Sequence, residues 1–194
     1  MNYFWGTPDA SIKFCENKYT HNKYVAEYYN SLSAGVYFLV ACFFYNTRLK
    51  YISYDLFALA IGTLLFHMTM RAWGQMMDEA AMILLSFDVI SDITKIKRIY
   101  VLPILGFYYY FHHYFTIFLF IFVLMQIYLT KLGLEKTNPL QKRYLYLYIL
   151  SFTIGLIFWL GDLFFCDYTK ALNFHMQWHI FSALGITFGL LSIL

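Results

Sequence analysis

From Ile99 to Thr130 the chain runs without a single Asp, Glu, Lys or Arg. A soluble domain has no place for such a stretch, whereas a bilayer accepts about 20 mostly apolar residues per crossing. The run is too long for one crossing at ordinary tilt, and its only polar relief is the Tyr-His-His-Tyr character between Tyr110 and Tyr114. Two crossings joined near that point are expected, with one long tilted span as the alternative. The rest of the sequence agrees in kind. Apolar residues make up 61% and charged residues 13%, against roughly 45–50% and about 25% in ordinary soluble domains. Mean hydropathy is +0.56. A disordered chain, which needs low hydrophobicity, is excluded. Three Cys are too few for a disulfide scaffold.

Seven spans would use about 140 of the residues, and eight would leave almost no connecting chain. The reading is therefore all-α: a polytopic membrane protein, a seven-transmembrane helix bundle forming a single domain over 1–194. A polar N-terminal segment covers 1–23. Helices are expected near 24–45, 53–72, 77–94, 98–112, 114–131, 143–166 and 174–194. Merging the fourth and fifth gives a count of six. No basic region followed by a short apolar run opens the chain, so no cleaved signal peptide is expected. The 21 Phe and 19 Tyr suit membrane interfaces.

Orientation follows from Lys and Arg in short loops. With the N-terminus outside, the inner loops hold Arg48, Lys50, Lys95, Lys97, Arg98, Lys131, Lys136, Lys142 and Arg143. The outer side holds Lys13, Lys18, Lys23, Arg71 and Lys170. Nine against five puts the N-terminus outside or in a lumen and the C-terminus in the cytosol. The formal charge of +3 is too small and too scattered for a nucleic-acid partner.

Polar residues within a membrane are expensive and mark function by default. His175 and His179 form H-x-x-x-H, which places two imidazoles on one helix face, one turn apart. His67 lies near the end of the second helix, four residues after Thr63, and Asp78 and Glu79 open the third. In the N-outside model His67, Asp78, His175 and His179 converge on one depth, with Glu27, Asp162 and Cys166 on the same side. Three His with an open fourth position is the pattern of a catalytic zinc. Asp78 is then the candidate general base and acid, and Thr63 the candidate donor to an oxyanion. The plainer reading of Asp78 is a carboxylate complementing the helix dipole.

Other unusual residues read as structural. His112 and His113 are neighbours that point apart, and His21 lies in the polar segment. Asp88 and Asp92, one turn apart, are expected to face the bundle interior, and Asp55 to lie at the inner interface. Cys15 and Cys166 both fall on the outer side, oxidising in a secretory compartment. A bridge there would tie the N-terminal segment to the sixth helix. Cys42 reads as a free thiol on the first helix.

Taken together these motifs resemble the alkaline ceramidase family of seven-helix membrane hydrolases. The matching residues are Trp5-Gly6, Phe14-Cys15-Glu16, Tyr19 and the run from Tyr24 to Ser31. Further along they are Gly62-Thr63, Phe66 to Thr69, Gln75, Asp78-Glu79 and Met82, then Phe158-Trp159, Asp162, Cys166, His175, Trp178-His179 and Ser182. The stretch from about 95 to 150 is similar only in hydropathy. The resemblance implies zinc on His67, His175 and His179, Asp78 as the acid/base residue, a Cys15–Cys166 bridge, and hydrolysis of ceramide to sphingosine and a fatty acid. It implies a membrane-lipid substrate and an endoplasmic reticulum or Golgi membrane. Thr63 stands where the family usually has Ser, keeping the hydroxyl and adding a methyl. Met176-Gln177 and Ala80-Ala81 also depart from the family pattern and leave acyl-chain preference open.

The family's calcium site matches Lys13, Phe14, Glu16, Lys18 and Glu27, where two oxygen ligands have become lysines. Calcium takes six to eight oxygens, so its binding is in doubt. The expectation is that an ammonium group replaces the ion, pairing with Glu16 and Glu27; the alternative is a lost site with solvated lysines. Two further functional readings stay open, a seven-helix hydrolase of another lipid and a non-enzymatic receptor or transporter with a structural metal.

Overall fold

A computed structural model describes residues 4–194. Its helices are α1 (Tyr28–Ser33), α2 (Gly35–Phe44), α3 (Lys50–Thr69), α4 (Ala72–Thr94), α5 (Val101–Tyr110), α6 (Phe115–Lys136), α7 (Lys142–Phe164), α8 (Cys166–Thr169) and α9 (Phe174–Ile193). The architecture is all-α. Four of the described helices, α3, α6, α7 and α9, are long and apolar enough to cross a membrane.

The other three expected spans fall short of that standard for distinct reasons. The first apolar segment, Tyr28–Phe44, is short and is divided at Ala34 into α1 and α2. The 98–112 run yields a helix of only ten residues, α5. α4 has the length, at 23 residues, but carries Asp78, Glu79, Asp88 and Asp92. The first three are buried, so the charge faces the bundle. A turn at 111–114 separates α5 from α6 and carries His112 and His113; the His112 ring lies 2.8 Å from the Tyr109 carbonyl.

The bundle buries polar side chains among its apolar core and turns large apolar side chains outward. His67 is 0% exposed while Ile127, on α6, is 62% exposed. Water would penalise that arrangement; hydrocarbon favours it, because each buried polar group must find its partner within the protein. α3 packs along α4, and α7 along α9. The α3–α4 approach is made possible by Gly62, where an added Cβ would come 2.8 Å from the Asp78 backbone nitrogen. The missing side chain therefore brings Thr63 and Asp78 within reach of each other.

α4 begins five residues before its expected start at 77. The cause is a tight turn after α3. Met70 adopts a left-handed conformation and Arg71 is extended. The N-terminal segment completes the turn: Asp9 Oδ1 accepts the Ala72 N–H at 2.6 Å, Asp9 pairs with Arg71 at 2.9 Å, and the Asp9 and Ala10 N–H groups donate to the Met70 carbonyl.

At the opposite end of α4, Arg98 forms an ion pair with Asp88 and lies 3.5 Å from Asp55. Asp55 is buried, so it is an internal partner of Arg98, not an interfacial residue. Asp92 pairs with Arg48 at 3.1 Å. Arg48 also donates to the Ile193 carbonyl, satisfying the end of α9.

The segment before α1 lies across the mouth of the bundle. Its Cys15 is bonded to Cys166, 151 residues away, and its backbone N–H donates to Asp162 Oδ2 at 3.0 Å. Closing so long a loop restricts the unfolded chain strongly. Cys15→Ser is expected to lower stability by about 2–5 kcal/mol, measured as the thermal midpoint of the detergent-solubilised protein with and without reductant. Equal midpoints for both proteins in both conditions would contradict the tether.

Candidate metal centre and active site

α3 and α9 bring three histidines together. The candidate ligand atoms of His67, His175 and His179 all lie within 4.8 Å of one another, and all three residues are buried. His67 sits in the last turn of α3 and His175 in the first turn of α9. His179 follows one turn later, so the i, i+4 spacing aims both α9 rings at the α3 ring.

The hydrogen bonds fix which nitrogens face inward. Nδ1 of His67 lies 2.6 Å from Glu27 Oε2, a carboxylate oxygen that can only accept, so this nitrogen carries the proton. Nε2 is buried and without a partner. Nδ1 of His179 lies 2.7 Å from Ser33 Oγ. Ser33 gives its own proton to the Asn30 carbonyl at 2.9 Å, so His179 Nδ1 donates and its Nε2 is bare. Nδ1 of His175 is buried without a partner, and the ring stacks on Phe14 at 3.6 Å. Clustered buried imidazoles with unpartnered nitrogens, two of them oriented by a carboxylate and a hydroxyl, are a donor set suited to a transition metal. The group could hold a metal ion.

Asp78 and Thr63 meet beside it. The Thr63 hydroxyl donates to Asp78 Oδ1. Asp78 lies in the second turn of α4, six residues in from Ala72, which weakens the helix-dipole reading because that effect fades beyond the first turn. Thr63, His175, His179, Asp78 and Glu79 line one small cavity. Its walls include Tyr37, Leu59, Met82 and Trp178, which also line a larger chamber. That chamber continues between α4, α6, α7 and α9 and is almost wholly apolar, with Leu85, Phe122, Phe152 and Ile186 among its walls.

Of the residues matching the family's calcium site, Lys18 and Lys13 differ in fate. Lys18 Nζ donates to the Phe14 carbonyl at 2.7 Å, the Glu16 carbonyl at 3.0 Å and Glu27 Oε1. Lys13 is exposed. The Glu16 carboxylate takes no lysine; it accepts the N–H groups of Tyr29 and Asn30 at 2.8 and 2.9 Å. Burial pushes its carboxyl above the usual range, against the lowering by those two donors.

Ser33, Asn30 and Phe14's stacking on His175 were not visible in the sequence as parts of the centre. Ser33 lies in a run of small and aromatic residues, and no spacing links it to His179, 146 residues on.

A buried three-histidine group that could hold a metal, beside a carboxylate and next to an apolar chamber, in a bundle with four helices long and apolar enough to cross a membrane, defines the class: a helical membrane protein with a candidate metal centre. A family model described as Ceramidase matches residues 6–194, and the chain belongs to that family. An Arabidopsis thaliana alkaline ceramidase is 30% identical over 91 residues, covering 43% of this chain and 36% of that protein. Alkaline ceramidase YPC1 of Saccharomyces cerevisiae is 32% identical over 87 residues, covering 41% and 28%. A Dictyostelium discoideum relative aligns over 95% of this chain and 85% of its own length at 25% identity. The chain thus spans about a third of the length of the first two relatives and most of the third.

Proposed function

We propose that this protein hydrolyses the amide bond of ceramide-like membrane lipids, using a zinc ion on His67, His175 and His179. The observation that carries the reading is the buried three-histidine group, of which His175 and His179 line, together with Asp78, a cavity that shares walls with an apolar chamber. A lipid chain fits the chamber, and its amide then lies at the polar head. Zinc would supply a Lewis acid for the carbonyl and lower the pKa of an attacking water. Asp78 takes one proton from that water as its oxygen bonds to the carbonyl carbon. It returns the proton to the nitrogen as the C–N bond breaks, leaving a fatty acid and an amine. Thr63 orients Asp78 in the free protein; its hydroxyl turns to the oxyanion when substrate enters. Phe14 and the N-terminal segment cover the centre and exclude bulk water.

In this reading the bundle crosses the membrane seven times, α1–α2, α4 and α5 completing the four longer spans. The N-terminus lies outside or in a lumen and the C-terminus in the cytosol, in an endoplasmic reticulum or Golgi membrane. The test is zinc quantification together with product analysis on a ceramide panel. Release of sphingoid base and fatty acid by a protein holding one zinc per chain is expected. Zinc-loaded protein that cleaves no ceramide would overturn the proposal.

The same reading assigns Lys18 the place of the second cation. Its ammonium, held by two carbonyls and Glu27, neutralises the carboxylate that orients His67. Purified protein is expected to contain no stoichiometric calcium. Lys18→Met leaves Glu27 buried without its cation and should cost about 3 kcal/mol, with zinc affinity falling as His67 loses its orientation. A full equivalent of calcium in the wild type would contradict this.

A further inference from the structure

Glu79 follows Asp78 on α4, and the reaction as derived gives it no task. It is 2% exposed. Gln75 Nε2 donates to Oε1 and the Tyr108 hydroxyl to Oε2, each at 2.7 Å. Among the described residues no Lys or Arg pairs with it. A carboxylate offers about four lone-pair sites, and these two donors fill half of them. The plainest account is a structural pin: Gln75 also bonds Ser11, so the chain of contacts ties the N-terminal segment to α4 and α5. That account explains the two occupied lone pairs. It does not explain why a carboxylate without a cation forms part of the wall of the cavity shared by Asp78, His175 and His179, where a neutral amide would pin the helices at lower desolvation cost.

We propose that Glu79 is the acceptor for the polar head of the substrate. It takes hydroxyl hydrogen bonds from an N-acyl amino alcohol. Tyr108 and Gln75 are positioning residues that aim its free lone pairs into the cavity. Glu79 is thus a specificity residue: it selects amides whose nitrogen-bearing carbon is flanked by hydroxyl groups over plain N-alkyl amides. This rests on the amidase reading above, which does not itself require that selection.

The experiment compares a ceramide with a chain-matched N-acyl alkylamine lacking both hydroxyls, using full-length zinc-loaded protein in lipid nanodiscs. Wild type is expected to favour the ceramide. Glu79→Gln should lower kcat/KM for the ceramide by about 10- to 100-fold, the worth of a hydrogen bond to a charged group, chiefly through KM. The N-acyl alkylamine should change by less than about twofold. Tyr108→Phe keeps the ring and should lower the same preference at least threefold, which keeps the idea testable where Glu79→Gln fails to accumulate. Equal losses on both substrates, or none on either, would overturn the assignment. Binding of sphinganine against octadecylamine gives a readout free of turnover, and Glu79→Gln should weaken only the former. Wild type that cleaves neither amide yet binds sphinganine through Glu79 defeats the amidase reading and leaves this subsite standing. Wild type that binds the two amines equally defeats the subsite.

Discussion

Asp78→Asn is expected to yield a folded protein that retains its zinc and hydrolyses ceramide about 10²- to 10⁴-fold more slowly. The substitution preserves shape. The Thr63 hydroxyl, which donates to Asp78 Oδ1, can donate equally to an amide oxygen, so the packing between α3 and α4 stays as Gly62 permits it. What is lost is a group able to accept a proton and return it. No histidine of the three is hydrogen-bonded to Asp78, and His67 and His179 are held by Glu27 and Ser33 instead. Metal content should therefore be unchanged. The check is elemental analysis beside single-turnover kinetics. Ceramide turnover within about tenfold of wild type would remove Asp78 from the proton path. Loss of zinc would make it part of the metal site instead.

Much of this site was legible before any coordinates because its elements are set by local rules. The i, i+4 spacing of His175 and His179 aims both rings one way on any helix. The α3 pair Thr63 and His67 obeys the same rule, and apolar runs of membrane length leave few alternatives to helix. Cys15 and Cys166 were readable as a pair because few cysteines share their side. What escaped is what depends on distant chain. The start of α4 at Ala72 depends on Asp9, 63 residues away, so no local pattern announces it. Asp55 reads as interfacial in the sequence because Arg98, the partner of this buried carboxylate, comes from beyond the end of α4. The calcium-site substitution was half visible. Lys13 and Lys18 were equivalent as letters, and only the folded segment shows Lys18 turned onto Glu27 while Lys13 stays exposed. Ser33 was invisible because a serine in an apolar helix more often satisfies its own backbone, and its bond to His179 is a second role.

That bond separates two kinds of loss at the metal centre. His179→Ala removes a proposed ligand and is expected to leave less than about a tenth of an equivalent of zinc after purification. Activity should be undetectable, and the thermal midpoint should drop to that of chelator-treated wild type, since metal binding adds its free energy to the folded state. Ser33→Ala removes only the oxygen that accepts from His179 Nδ1. The ring keeps its lone pair but loses its orientation, so zinc affinity should fall about 10- to 100-fold and excess zinc should restore turnover. A structural metal would give the same loss with His179→Ala, but Asp78→Asn would then leave every measured property intact. Zinc titration followed by thermal scans on the four proteins distinguishes these outcomes. His179→Ala that binds zinc as tightly as wild type would show that His179 does not share one ion with His67 and His175. The ion would then lie away from the cavity that His179 shares with Asp78, and the hydrolytic reading would lose its metal at the place where Asp78 needs it.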